Sequence, residues 1–311
     1  MPEYDREDIS SSWPYKLPKF GINGSSLTSV SKWGSKGSEE AQFQWPEGIA
    51  VDEDNYVYVV DTGNCRVKKF DNNGNFITSW GSFGTETGQF SSSPRWIAVD
   101  NGPHNDVYIT DINGNVYIFH NNGSFLIKWN TKASDESSAN IAGIALDANS
   151  DIYVTDLTNY RVKKFSRNGT LLSRWGSEGA GDSQFNLPAG IALDSLGNIF
   201  VADLRLDRIQ KFDNSGNFIT KWGVSLESER YSTPMGIATD KNDNVWVADF
   251  DAPCIKKFSG DGDLMLKWGH YAMVGSDDDL YFHMPIGIAV DNDGNVYLTE
   301  DQEHRVQKFK E

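Results

Sequence analysis

Apolar and polar positions along this chain follow two rhythms at once. Some short runs are continuously apolar, such as Val57 to Val60 and Ile199 to Ala202, whereas Phe218 to Trp222 alternates. The first pattern suits a strand buried on both faces and the second a strand with one face in water. Over longer distances the whole set of runs recurs. Its order is Pro-x-Gly-Ile-Ala-Val-Asp, Val-Tyr-Val-x-Asp, Arg-Val-x-Lys-Phe and Asn-Gly-x-Phe-Ile-x-x-Trp-Gly, and its first run falls at Gly48, Trp96, Gly143, Gly190, Gly236 and Gly287. The steps between these are 48, 47, 47, 46 and 51 residues. Four strand-sized runs at this period predict an all-β fold, a six-bladed β-propeller of four-stranded antiparallel blades. A blade cannot bury both faces alone, so the copies form one domain rather than several.

The fourth copy shows the expected blade. Gly190 to Asp194 is a small-residue inner strand, and Ser195 to Asn198 a turn. Ile199 to Asp203 and Arg208 to Phe212 are the middle strands, with Phe218 to Gly223 outermost. The sixth copy stops at Glu311 before reaching its Trp-Gly, and the matching fragment, Leu27 to Gly34, precedes the first copy. The ring is therefore expected to close by an N-terminal strand, about 26–34, completing the last blade. Residues 1–19 read as a polar, Pro-containing extension and 20–311 as a single propeller domain. Trp33, Trp80, Trp129, Trp175, Trp222 and Trp268 end the outer strands, and Phe70, Phe119, Phe165, Phe212, Phe258 and Phe309 end the third strands. Aromatics repeated with the ring symmetry are expected to pack between blades, because a single ligand site has no use for so many copies.

Composition narrows the classes of function. The net charge is −16, with 44 carboxylates against 28 Lys and Arg, which argues against a nucleic-acid binder, since phosphate contacts need clustered Lys and Arg. The same balance favours cationic ligands or metal ions. No apolar run exceeds strand length, so no membrane insertion is expected. Met1 to Lys19 has no apolar leader core, which predicts a cytoplasmic protein, or an extracellular one if a leader or larger parent chain was removed. A monomer is expected. Cys65 and Cys254 fall in repeats that are not ring neighbours and should not bridge. Asn23-Gly-Ser25, Asn122-Gly-Ser124 and Asn168-Gly-Thr170 fit the glycosylation acceptor pattern, though Asn-Gly is also the preferred hairpin turn.

The repeated motif resembles the NHL repeat. The resemblance rests on Pro46-x-Gly48-Ile-Ala-Val-Asp52, Val57-Tyr-Val-x-Asp61, Asn64-x-Arg66-Val-x-Lys-Phe70 and Gly74-Asn-Phe-Ile-x-x-Trp80-Gly81, and on the same positions later, from about Ser26 to Glu311. It implies a six-bladed ring and a choice among protein- or RNA-binding platforms, extracellular sensor domains and zinc-dependent amidating lyases. The lyases carry histidines near the inner-strand entry. Here the slots after the repeat proline or its equivalent hold Glu47, Arg95, Ala142, Ala189, Met235 and Ile286, and His104, His120, His270, His283 and His304 share no register. A three-histidine zinc site is not expected.

Two rings of carboxylates follow from the repeats. Asp52, Asp100, Asp147, Asp194, Asp240 and Asp291 close the inner strands, and Asp61, Asp111, Asp156, Asp203, Asp249 and Glu300 close the second strands. They read as cation ligands, calcium or zinc, or more plainly as turn caps and as partners of Arg66, Arg161, Arg208 and Arg305. No cofactor is expected. Function should lie where the symmetry breaks on the top face, which carries the loops entering each inner strand and those joining second to third strands. Trp96 replaces the glycine of the other copies, with Arg95 before it and Glu47 in the neighbouring copy as a partner. This is either a structural plug and ion pair or a ligand site. Trp45, Arg205, Met235, Phe250, Asp251 and His304 join the candidates, as does the loop His270 to Phe282 with Tyr271, Asp277-Asp-Asp279 and Tyr281. The resulting expectation is a non-catalytic platform for a protein, peptide or glycan. The alternatives are a metal-dependent hydrolase or lyase centred in the axial channel, and a sensor module of a longer extracellular protein.

Overall fold

A computed structural model of the chain describes residues 26–100, 102, 105–225, 232–271 and 281–311. The extension 1–19, its boundary at residue 20, Asn23, His104 and the acidic run 277–279 lie outside the described residues.

Six four-stranded antiparallel sheets form the ring. Blade 1 consists of Pro46–Val51, Val57–Asp61, Arg66–Phe70 and Phe76–Trp80, counted from the axis outward. Blade 2 runs from Pro94–Val99 to Phe125–Asn130, blade 3 from Ile141–Leu146 to Leu171–Trp175, blade 4 from Pro188–Leu193 to Phe218–Gly223, and blade 5 from Pro234–Thr239 to Leu264–Trp268. Blade 6 takes Pro285–Val290, Asn295–Glu300 and Arg305–Lys310, and its outermost strand is Thr28–Trp33. Thr28 pairs with Lys310 and Trp33 with Val306, so the two ends of the described chain share one sheet. Among the described residues no helix is long and apolar enough to cross a membrane.

The interior follows the sequence rhythm. Second strands such as Val57–Asp61 and Ile199–Asp203 are buried at every position, and outer strands such as Phe218–Gly223 alternate. Between blades the aromatics interlock. Trp33 meets Phe70, Trp80 meets Phe119, Trp129 meets Phe165, Trp175 meets Phe212 and Trp222 meets Phe258, with ring centroids 5.0–6.2 Å apart. Each tryptophan therefore belongs to one blade and packs on the next, and Trp268 shares a buried cluster with Phe309. The glycine turn that follows the third strand in blades 1–5 completes this lock. A Cβ at Gly74, Gly169, Gly216 or Gly262 would lie 2.7–2.8 Å from the indole of the preceding blade, and φ there is +85° to +99°. Both the turn and the close approach require glycine. Asn122 and Asn168 are exposed in these turns, and their side-chain oxygens accept the N–H of Ser124 and Thr170 respectively.

Five inner strands carry glycine for a related reason. A Cβ at Gly48, Gly143, Gly190, Gly236 or Gly287 would stand 2.3–2.5 Å from a carbonyl oxygen of the next blade's inner strand. Each inner strand also has an irregular register at its entry, between Pro46 and Ile49 in blade 1 and at the matching place in the others. Such bulges re-aim a side chain, here the residue following the proline.

Candidate functional site

The two carboxylate rings serve the backbone. Asp52 Oδ1 accepts the N–H of Tyr56 at 2.8 Å, and Asp147, Asp194, Asp240 and Asp291 cap their turns the same way. The second ring secures the incoming top-face loops. Asp61 accepts the N–H of Gln44 at 2.7 Å and Arg66 Nε at 2.8 Å. Asp203 does the same with Asn186 and Arg208, and Glu300 with His283 and Arg305. Asp111 takes the Tyr117 hydroxyl, and Asp249 takes Thr233 N–H and Lys256. Arg161 departs from the expected pairing with Asp156. Lys163, two residues further along the same strand, occupies that carboxylate at 2.6 Å, and Arg161 turns to Glu136 at 3.6 Å and to the Asn159 carbonyl. Among the described residues no three His, Cys, Asp or Glu side chains gather as a metal-binding group. Cys65 and Cys254 form no disulfide.

At the top of the axis the symmetry breaks. Trp96 is buried, and its apolar cluster takes in Ile286 from blade 6 and, at its edge, Met235 and Phe250 from blade 5. Residues of three blades thus close the channel mouth with apolar side chains. Beside this plug, Arg95 Nε donates to Glu47 Oε2 at 2.6 Å. Burial raises the pKa of Glu47 despite the arginine, and the nearby Asp301 charge adds to the rise. Burial likewise raises Asp301, against the opposing pull of His304, Arg95 and His283. One corner of the face, spanning blades 6, 1 and 2, therefore holds carboxylates that ionise reluctantly around one engaged guanidinium.

Trp45 borders this corner. Its backbone N–H donates to His304 Nδ1 at 3.1 Å, which fixes the neutral tautomer with the proton on Nε2. Burial and Lys36 lower the His304 pKa, consistent with an imidazole that accepts rather than donates at Nδ1. The indole remains 45% exposed. The other candidates lie apart from the corner. Arg205 is exposed on the blade 4 loop, and Asp251 is held by the Thr233 hydroxyl at 2.6 Å on blade 5. Tyr271 and Tyr281 fall in the short parallel pairing of His270–Tyr271 with Tyr281–Phe282. Phe83, missed in the sequence, is 72% exposed on the loop leading into blade 2. Its signal is an aromatic at a slot where the matching loops carry Lys36 and Glu178.

Comparison with known proteins agrees with this architecture. The profile of the NHL repeat matches residues 43–70 and 282–309. The chain is 29% identical over 161 residues to Protein brain tumor of Drosophila melanogaster, covering 51% of this chain and 15% of that protein. It is 34% identical over 61 residues to RING finger protein nhl-1 of Caenorhabditis elegans, 20% of this chain and 6% of that one. The chain thus spans a small part of these relatives' length. Among solved structures, a streptogramin B lyase superposes with TM-score 0.62 and 16% identity, over 91% of this chain and 97% of the lyase. A Xanthomonas campestris gluconolactonase gives 0.62 and 14% over 86% of each chain, and a Bacteroides thetaiotaomicron protein of unknown function 0.67 and 19% over 91% of this chain and 75% of that one. At these identities the likeness is one of fold. The closed ring, the interlocked aromatics and the matched segments agree: the chain is a six-bladed β-propeller in which two segments, in the first and last blades, match the NHL repeat.

Proposed function

We propose that this propeller is a polypeptide-binding platform that seats its partner on the top face, at the corner formed by Trp45, Glu47 and Arg95. The observation that carries the reading is the contrast at the axis. The channel mouth is filled by Trp96, Ile286 and Met235, while next to it the Glu47–Arg95 pair and the exposed Trp45 present chemistry that the repeat does not require. Residues that break a repeated pattern at a rigid loop face are the natural place for recognition, and tryptophan and arginine are enriched among the residues that carry binding energy at protein interfaces. The streptogramin B lyase and the gluconolactonase keep a second reading in view, a hydrolase or lyase working in the channel. It would require the plug to move aside.

The two exposed apolar side chains Phe83 and Leu196, 72% and 77% accessible, allow a direct test because Phe83 lies on the top face and Leu196 in a bottom turn. A photo-crosslinking residue at position 83 should attach to a polypeptide in cells, and Arg95→Ala combined with Glu47→Ala should abolish the adduct. The same probe at position 196 should give none. Equal labelling from both faces, or an adduct indifferent to the double substitution, would reject the top-face site.

A further inference from the structure

The platform reading leaves open what the partner presents, and the inference that follows rests on that reading. Three observations bear on it. The first is a fixed aromatic surface. Trp45 has φ +51°, but Leu187 and Met284 take the same left-handed conformation at +74° and +54° in their own loops, so the conformation belongs to the loop and not to the tryptophan. What is particular to blade 1 is the ring. A Cβ at Gly63 would lie 2.8 Å from Trp45 Cε3, so the indole rests directly on the backbone of the adjoining loop. The backbone N–H of Trp45 donates to His304 Nδ1, which ties this loop to blade 6. One side of the indole is thereby supported, and 45% of the residue stays accessible.

The second observation is an acceptor without a donor. Asp301 Oδ2 takes a hydrogen bond from Gln302 Nε2 at 3.1 Å, while Oδ1 is enclosed and has no hydrogen-bond partner among the described residues. With no cation bonded to it among the described residues, the Asp301 carboxylate leaves uncompensated negative potential at this corner. The third is local charge. Glu47, Asp301 and Glu303 stand at this corner, where Arg95 is already bonded to Glu47 and Lys36 lies on the His304 side. The chain as a whole carries −16.

We infer that Trp45 and Asp301, with Glu47 behind them, seat a cationic side chain, so the docking segment of the partner is a basic peptide bearing Arg or Lys. A guanidinium or ammonium over the exposed indole is attracted by the ring quadrupole and by the charge of the neighbouring carboxylates. A polyanion at the same place would bring phosphates against three carboxylates.

The probe is a short fluorescein-labelled Arg-Gly-Ser repeat peptide, titrated with the full chain at low salt and followed by anisotropy. A Glu-Gly-Ser repeat peptide and a short oligouridine serve as comparators. The basic peptide alone should bind. Trp45→Ala and Asp301→Asn should each weaken it about tenfold, in variants whose circular dichroism matches the parent. Asp182→Asn, which removes an exposed carboxylate paired with Lys221 on another loop, should leave affinity unchanged. No binding of the basic peptide, equal loss in all three variants, or binding of the oligouridine would overturn the inference. The crosslinking result separates the two levels. A top-face adduct that persists without basic-peptide binding rejects the cationic seat and leaves the platform, whereas loss of both rejects the platform.

Discussion

Lys68 shows how one side chain sets the shape of the top face. It is fully buried, and its ammonium donates to the backbone carbonyls of Glu39 at 2.6 Å, Glu40 at 2.9 Å and Gln42, with Asp61 at 3.8 Å. These carbonyls belong to the loop that delivers Trp45. The matching position in blade 3 is Lys163, which holds Thr131 O and Glu136, and in blade 5 Lys256, which holds Val224 O. Removing the hook orphans several carbonyls, so Lys68→Met should cost about 1.5–3 kcal/mol in urea unfolding. Burial lowers the Lys68 pKa from 10.5 to about 8. The folded state therefore releases this proton more readily than the unfolded chain. The cost of burying the charge is complete below about 8 and vanishes above 10.5. As pH rises through that window, the stability gap between the parent and Lys68→Met should widen. A gap that narrows would show that the buried ammonium gains more from its carbonyls than it loses in hydration.

At the scale of strands, the seam between blades 2 and 3 differs from those that the inner-strand glycines close. In blades 3 and 6 a second-strand hydroxyl bonds the next blade's inner strand, Thr155 to Ala189 O at 2.5 Å and Thr299 to Glu47 O at 2.6 Å. Thr110 stands at the same place in blade 2, yet its buried hydroxyl has no partner among the described residues. The cause lies one strand inward, where Trp96 takes the slot that glycine holds in the other five blades. The same indole that plugs the channel denies the seam its close approach. Thr299→Val should therefore cost about 1–2 kcal/mol, because it strands a carbonyl, while Thr110→Val should be neutral or stabilising. Equal losses from the two would mean that Thr110 is satisfied by solvent. This contrast marks the limit of what the sequence makes legible. The strands, their order and the interlocked aromatics recur with the period, so a single chain displays each of them several times, and the closure of the ring follows from the one copy that is cut short. The substitution at Trp96 is visible against that background, but its effect on Thr110 is not, because it depends on a distance between blades. Trp45 with His304, and Arg161 with Glu136, were equally hidden. They join residues far apart in the chain and occur once, with no repetition to announce them.

For the whole molecule, the question is what holds a ring whose last sheet is made from both ends of the described chain. Thr28–Trp33 pairs with Arg305–Lys310, and Trp33 then packs on Phe70 of blade 1 at 5.9 Å and on Tyr297 of blade 6 at 6.4 Å. The strand closes the ring twice, by backbone pairing within blade 6 and by its indole across the seam. What the fold requires is the strand in that place and not its position in the sequence. In the other blades a short turn joins the third strand to the outer one, as Asp71 to Asn75 does between Phe70 and Phe76. Moving residues 26–34 to follow Glu311 through an Asn-Gly turn would give blade 6 that ordinary connection and leave every inter-blade contact intact. Loop closure over a few residues is entropically cheaper than over the entire chain, so the permuted protein should be at least as stable as the parent. Its urea midpoint should match or exceed the parent value. Deleting 26–34 instead should expose Phe70, Val306 and Tyr297 and remove cooperative unfolding. Trp33→Ala falls between these extremes, at about 2–3 kcal/mol, below the cost of a fully buried aromatic because Trp33 is only partly buried. If the permutant were markedly weaker than the parent, the ring would depend on the covalent route into blade 1 as well as on the strand that seals it.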